Sequence, residues 1–141
     1  MGFPKEFLVL SGTTSLFQEA IERINGLGND AISVSNTLIV SNEEHRFLAL
    51  DQLRELNIRT AKLLLELTGI NTAPILTLIA LEVTHDGSDP ILVVTPADEA
   101  IQNIQAFTSP LQASLWEEQS SGIVVMGIKP SSVDSTALNP C

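Results

Sequence analysis

At 141 residues and 44% hydrophobic, the chain is long enough for one domain with a real core. It contains no apolar run of about 18 residues, so no transmembrane helix is expected, and seven Lys plus Arg against seventeen Asp plus Glu (net charge −10) argue against a nucleic-acid or anionic-membrane surface. Cys141 is the only cysteine, which excludes an intrachain disulfide and a cysteine-based zinc site. No apolar stretch follows a basic start near Met1, so a soluble, cytoplasmic protein is the expectation.

In chain order, Ser15-Leu16-Phe17-Gln18 has the form of a capping box, and Leu16, Phe17, Ala20, Ile21 and Ile24 follow at helical spacing. Gly26 and Gly28 end that helix. Thr37 to Val40 is a short β-branched and apolar run, expected as a strand. Asn42 is placed to cap a second helix, with Glu43 and Glu44 near its positive end and Phe47, Leu50, Leu53 and Leu56 as an apolar stripe. Lys62 to Leu65 is the next strand candidate. Asn71 to Pro74 opens a third helix, with Pro74 in the first turn where its missing N–H does no harm. From Ile75 to Val83 this helix is apolar nearly all round, which predicts burial.

His85 to Pro90 reads as a turn, with His85 exposed. Ile91-Leu92-Val93-Val94-Thr95 is the clearest strand pattern in the chain and predicts a central strand buried on both faces. Helical sequence runs on to about Gln119, with Ser109-Pro110 expected to break or restart it. Ile123 to Ile128 is the last strand candidate. Residues 131–141 are polar and without periodicity, which predicts a disordered tail after a domain over residues 1–130. The alternation of helices and strands predicts an α/β fold with a mostly parallel sheet. In such folds ligands bind beyond the carboxyl ends of the strands, here Ser41-Asn42, Glu66 to Thr72, and Pro96-Ala97-Asp98.

Those segments carry a family likeness. Phe3-Pro4-Lys5-Glu6-Phe7-Leu8 resembles the Tyr-Pro-Lys-Gln-Phe-Leu signature of bacterial mannose-1-phosphate guanylyltransferases, which are sugar nucleotidyltransferases. Asn42 to Leu48 resembles Asn-Glu-x-His-Arg-Phe, Gly69 to Pro74 resembles Gly-Arg-Asn-Thr-Ala-Pro, and Pro96-Ala97-Asp98-Glu99 resembles Pro-Ala-Asp-His. Gly122 to Pro130 resembles the Gly-x-Leu-Val-Thr-Phe-Gly-Ile-x-Pro strand, so the likeness runs in order over nearly the whole chain.

The resemblance implies a Rossmann-like nucleotidyltransferase domain that joins mannose 1-phosphate to GTP, giving GDP-mannose and pyrophosphate, with Mg²⁺ at the phosphates. It implies a phosphate contact and a catalytic role for Lys5, nucleotide contacts for Asn71, Thr72, Ala73 and Pro74, and a metal contact for Asp98. Read from the residues alone, Lys5 is a surface lysine, Asp98 a helix cap, and Asn71 and Thr72 the cap of the buried helix; His45 and Arg46 read as structural or solvent-facing.

The departures run in one direction. Only Met1 and Gly2 precede the lysine motif, so the expected domain is incomplete, without the family's first strand and glycine-rich loop. The Gly-Arg-Asn arginine is Ile70, the Pro-Lys-Gln glutamine is Glu6, and the Asp-His histidine is Glu99. After Pro130 the chain reads Ser131 to Thr136 in place of the sugar-binding loop. These exchanges weaken a GTP site and imply a chain inactive by itself. The alternative is a non-catalytic remnant or an interaction module with residual nucleotide binding, working with a complementing chain or as a homo-oligomer.

Overall fold

Ser15 starts the first helix as the sequence predicts. In the structure, a computed structural model, its hydroxyl accepts the Gln18 N–H at 3.2 Å while Gln18 Oε1 accepts the Ser15 N–H at 3.0 Å. Residues 3–10, 12–35, 37–66, 72–117 and 122–127 are described. Helix α1 (Leu16–Asn25) is capped at its end by Gly26. Ahead of it, Lys5–Phe7 forms a single 3-10 turn that buries Phe7 against Phe17, with ring centroids 5.1 Å apart.

Strands β1 (Leu38–Asn42) and β2 (Lys62–Glu66) pair in parallel, in register from Leu38 opposite Lys62 to Asn42 opposite Glu66. Between them runs α2 (Arg46–Glu55), entered through a 3-10 turn at Glu43–His45 that the Asn42 side chain caps by accepting the Glu44 N–H. The exit of α2 is closed by Asn57 in the left-handed region (φ 57°), with Ile58 N–H bonded to Leu53 O and Asn57 N–H to Arg54 O. That is a Schellman closure, and Asn is one of the few residues that tolerates the conformation. The apolar face of α2 is Ala49 and Leu53, not the predicted stripe: Phe47 is 68% exposed, lying under the Arg46 guanidinium at 4.7 Å.

Phe7, Phe17, Ile21, Ile39, Ala49 and Leu53 form the core, flanked by Leu56, Ile58, Leu63 and Ala97. A polar network closes one side of it. Ser15 Oγ donates to Gln52 Oε1 at 2.6 Å, Gln18 Nε2 donates to Glu55 Oε2 at 2.7 Å, and Gln52 Nε2 donates to the Phe7 carbonyl at 3.3 Å. These bonds tie α1, α2 and the first turn together through residues 34 or more apart in sequence.

The remaining described chain packs more loosely. Helix α3 (Thr72–Thr84) buries Ile79 but exposes Leu78 and Leu81, so the expectation of a buried helix is corrected: its apolar surface exceeds what the two-stranded sheet can cover. Lys62 pairs with Glu82, and the Ser88 hydroxyl donates to the Val83 carbonyl, folding the His85–Ser88 turn back on the end of α3. Gly87 takes φ +83° in that turn, and His85 is exposed as expected.

Two predicted strands are corrected. Ile91–Thr95 runs without turn or helix and pairs with no other strand, and Ile91 and Val94 are more than half exposed. Residues 122–127 are likewise unpaired, with Ile123 92% exposed. Apolar composition favours a strand, but a strand exists only where a neighbour offers its ladder. Helix α4 (Ile104–Glu117) continues through Pro110, contrary to the predicted break. Pro110 and Ala106 are both exposed, so water can satisfy the carbonyl that the missing N–H leaves free. Gln112 of α4 bonds the Leu27 carbonyl, and buried Arg23 of α1 stacks on Phe107 at 5.1 Å, which fixes α4 to the end of α1. Ile128 and the tail predicted over residues 131–141 lie outside the described residues.

Candidate functional site

The carboxyl ends of β1 and β2 and the Pro96–Asp98 bend open into one groove, of about 920 Å³. Phe17, Ala20 and Ile21 of α1 and Ile75, Leu76 and Ile79 of α3 form its apolar walls. Leu38–Asn42 runs along one side and Pro90–Asp98 along another. Glu6, Asn42, His45, Glu66 and Asp98 contribute its polar atoms.

Lys5 and Asp98, 93 positions apart in sequence, meet here: Lys5 Nζ lies 2.6 Å from Asp98 Oδ2. Each sits where its own segment turns, Lys5 in the first 3-10 turn and Asp98 in the bend after Ile91–Thr95. The hydrogen bond from Lys5 holds the Asp98 carboxyl below the usual carboxylate range, partial burial opposing it. The same bond, with the Asp98 charge behind it, holds the Lys5 ammonium above its ordinary value. Lys5 is 71% exposed, so the pair is screened by solvent and serves position more than stability.

Next to it, His45 Nδ1 lies 3.8 Å from Glu6 Oε1, and the His45 ring meets Phe7 edge-on at 6.0 Å. His45, read as structural or solvent-facing, is thus half-buried at the edge of the groove. Its position after the β1 carboxyl end is the signal that places it there. Arg46 turns away to pair with Glu43 at 2.7 Å.

Of the other expected site residues, Asn71 lies outside the described residues, as does the side chain of Thr72. Ala73 and Pro74 form the exposed first turn of α3, directly before the groove-lining Ile75 and Leu76. No cluster of three or more His, Cys, Asp or Glu able to hold a metal exists among the described residues. Asp98 supplies one carboxylate, and Lys5 already engages it. A single paired carboxylate does not make a magnesium site, since Mg²⁺ requires a near-octahedral set of oxygen donors. Among the described residues no helix is long and apolar enough to cross a membrane.

A phosphate-facing lysine and a carboxylate, held together where parallel strands end, suit the handling of charged phosphate groups, and the comparisons agree in class. The nucleotidyl transferase family model matches residues 2–136, and the chain belongs to that family. It is 38% identical over 133 residues to the mannose-1-phosphate guanylyltransferase of Escherichia coli, covering 94% of this chain and 27% of that protein. It is 38% identical over 130 residues to the mannose-1-phosphate guanylyltransferase ManC of Salmonella typhimurium, covering 91% of this chain and 26% of that protein. It is 36% identical over 129 residues to the alginate biosynthesis protein AlgA of Pseudomonas aeruginosa, covering 92% of this chain and 26% of that protein. The chain therefore spans about a quarter of the length of the curated relatives it matches. No solved structure gives a significant match.

Proposed function

We propose that this chain is the nucleotide-side portion of a mannose-1-phosphate guanylyltransferase, the enzyme that makes GDP-mannose and pyrophosphate from GTP and mannose 1-phosphate. The observation that carries the reading is the meeting of Lys5 and Asp98 at the strand ends. Lys5 offers an ammonium to a phosphate oxygen, and Asp98 holds that ammonium in place until a phosphate competes for it. Asn71, Thr72, Ala73 and Pro74 open α3 beside the groove, where the nucleotide would lie along the helix start. The setting proposed is the cytoplasm, where sugar nucleotides are used.

By itself the chain forms no detectable GDP-mannose. In-line phosphoryl transfer depends on fixed donors around the triphosphate, and loss of one such donor costs about 10²–10³ in rate in other enzymes. Here the family's arginine is Ile70, and carboxylates stand at Glu6 and Glu99 where neutral or cationic side chains are expected. Magnesium belongs to the reading through the family only, because Asp98 lacks companion ligands among the described residues. The test is pyrophosphate release from GTP and mannose 1-phosphate with Mg²⁺, with Asp98→Asn as background. Signal at the background level is expected, together with a GTP-induced rise in melting temperature that Lys5→Ala abolishes. Turnover above background refutes the inactivity, and a GTP response that Lys5→Ala leaves intact removes Lys5 from the site.

A further inference from the structure

The groove is also a gap in a sheet. β1 gives one edge to β2, and its other edge has no strand beside it. The opposite side of the groove, Ile91–Thr95, has no ladder partner on either edge among the described residues. The two run in the same direction. Lys62 paired with Glu82, and Ser88 bonded to Val83, bring Pro90 to the end where the strands begin. Lys5 paired with Asp98, and Glu6 facing His45, bring Asp98 to the end where they finish. Each segment is five residues, about 17 Å at the usual rise of a strand. Between them lie apolar walls rather than a third backbone.

The same chain carries a strand without a sheet. Gly122-Ile123-Val124-Val125-Met126-Gly127 has no charge and no backbone hydrogen bond among the described residues, and would extend about 20 Å. Exposure along it alternates, 92% at Ile123, 47% at Val124, 87% at Val125 and 43% at Met126, the two-residue period of a strand that lacks partners. It lines no part of its own chain's groove. An acceptor with two open edges and a donor of matching length therefore coexist in one molecule.

We infer that two copies of this chain exchange strands, with Gly122–Gly127 of each inserted between β1 and Ile91–Thr95 of the other. The exchange is reciprocal, so it closes as a twofold dimer and does not propagate into a fibre. Inserted strands acquire ladder bonds on both edges, and the exposed faces of Ile123 and Val125 leave water. The donor adds no charge to an interface between chains that each carry −10, so salt strengthens the dimer by screening the repulsion.

Light scattering coupled to gel filtration on the full chain at micromolar concentration tests this. The expected mass is twice 15.2 kDa, rising in dimer fraction with added salt. Ile123→Asp/Val125→Asp should run as a monomer with unchanged helical circular dichroism, because neither side chain packs on its own core. Val94→Pro removes an acceptor N–H that no described residue uses, and should also give a monomer. A synthetic peptide of residues 122–129 should then bind the donor-deficient variant one to one and slow hydrogen exchange at residues 38–42 and 91–95. A monomeric wild-type chain, with or without a protected groove, overturns the exchange, since protection in a monomer means that the chain fills its own gap. A dimer that survives both variants also overturns it.

Discussion

Replacing Ser15 with alanine puts the helix start and the polar network to one test. Ser15 is fully buried, and its hydroxyl both accepts the Gln18 N–H and donates to Gln52 Oε1. Alanine removes an N-cap, a loss of about 1 kcal/mol in typical helices. It also removes the bond to Gln52, worth about 1 kcal/mol, and strands the Gln18 N–H where water does not reach. The back-bond from Ser15 N–H to Gln18 Oε1 survives, since it uses the backbone. The expected loss is about 2–3 kcal/mol, or about 6–10 °C in melting temperature for a chain of this size. Urea titration at fixed protein concentration measures it, the fixed concentration removing any contribution from association. A double-mutant cycle with Gln52→Ala should show a coupling of about 1 kcal/mol. A loss under about 0.5 kcal/mol, or strict additivity with Gln52→Ala, would refute the view that this network holds α1 to α2.

Two further outcomes follow from charged groups. Arg23 is buried, its Nε and Nη2 have no protein partner, and burial lowers its pKa, with Glu99 and Glu19 acting against the shift. Two unpaired donors at about 1–3 kcal/mol each outweigh one stacking contact on Phe107 of about 0.5–2 kcal/mol, so Arg23→Met should leave stability unchanged or raise it by up to about 2 kcal/mol; a loss above about 1 kcal/mol in urea titration contradicts this. The Lys5–Asp98 pair has a defined pH window. The depressed Asp98 pKa contributes stability that is present above the ordinary aspartate value and lost as pH falls through the folded value. The raised Lys5 pKa contributes stability present below the ordinary lysine value and lost as pH rises through the folded value. Carbon-detected NMR titration of Asp98 should show the depression in the wild type and its loss in Lys5→Ala.

Where the signals are local, the sequence is a sufficient guide. Ser15 and Gln18 sit three residues apart and satisfy each other, so α1 is legible from four letters. Strands β1 and β2 are legible because β-branched and aliphatic residues cluster between turn residues. The α2 stripe fails for a phase reason. Its entry is a 3-10 turn at three residues per turn, which rotates the following α-helix so that Ala49 faces inward and Phe47 outward. Ile91–Thr95 and Ile123–Met126 fail for a different reason: their composition is local, but their partners are not. The strand-end rule places the candidate site correctly, yet neither Lys5 nor Asp98 announces its partner across 93 positions. Only the family likeness distinguishes them from an ordinary surface lysine and an ordinary helix cap.

The uneven distribution of the core has a consequence for how the molecule comes apart. Every member of the central cluster lies between Phe7 and Leu53, and the polar network binds the same span. Beyond β2, the described chain adds Ile79 and Leu111 as its buried apolar residues and is attached mainly by Lys62–Glu82, Lys5–Asp98 and Gln112–Leu27. Two of these three attachments are exposed ion pairs that salt weakens. Limited proteolysis at rising ionic strength should therefore cut first after Glu66, releasing a resistant fragment that ends near β2. The acidic, ligand-facing half would then be digested while the first helix, both paired strands and the second helix stay whole.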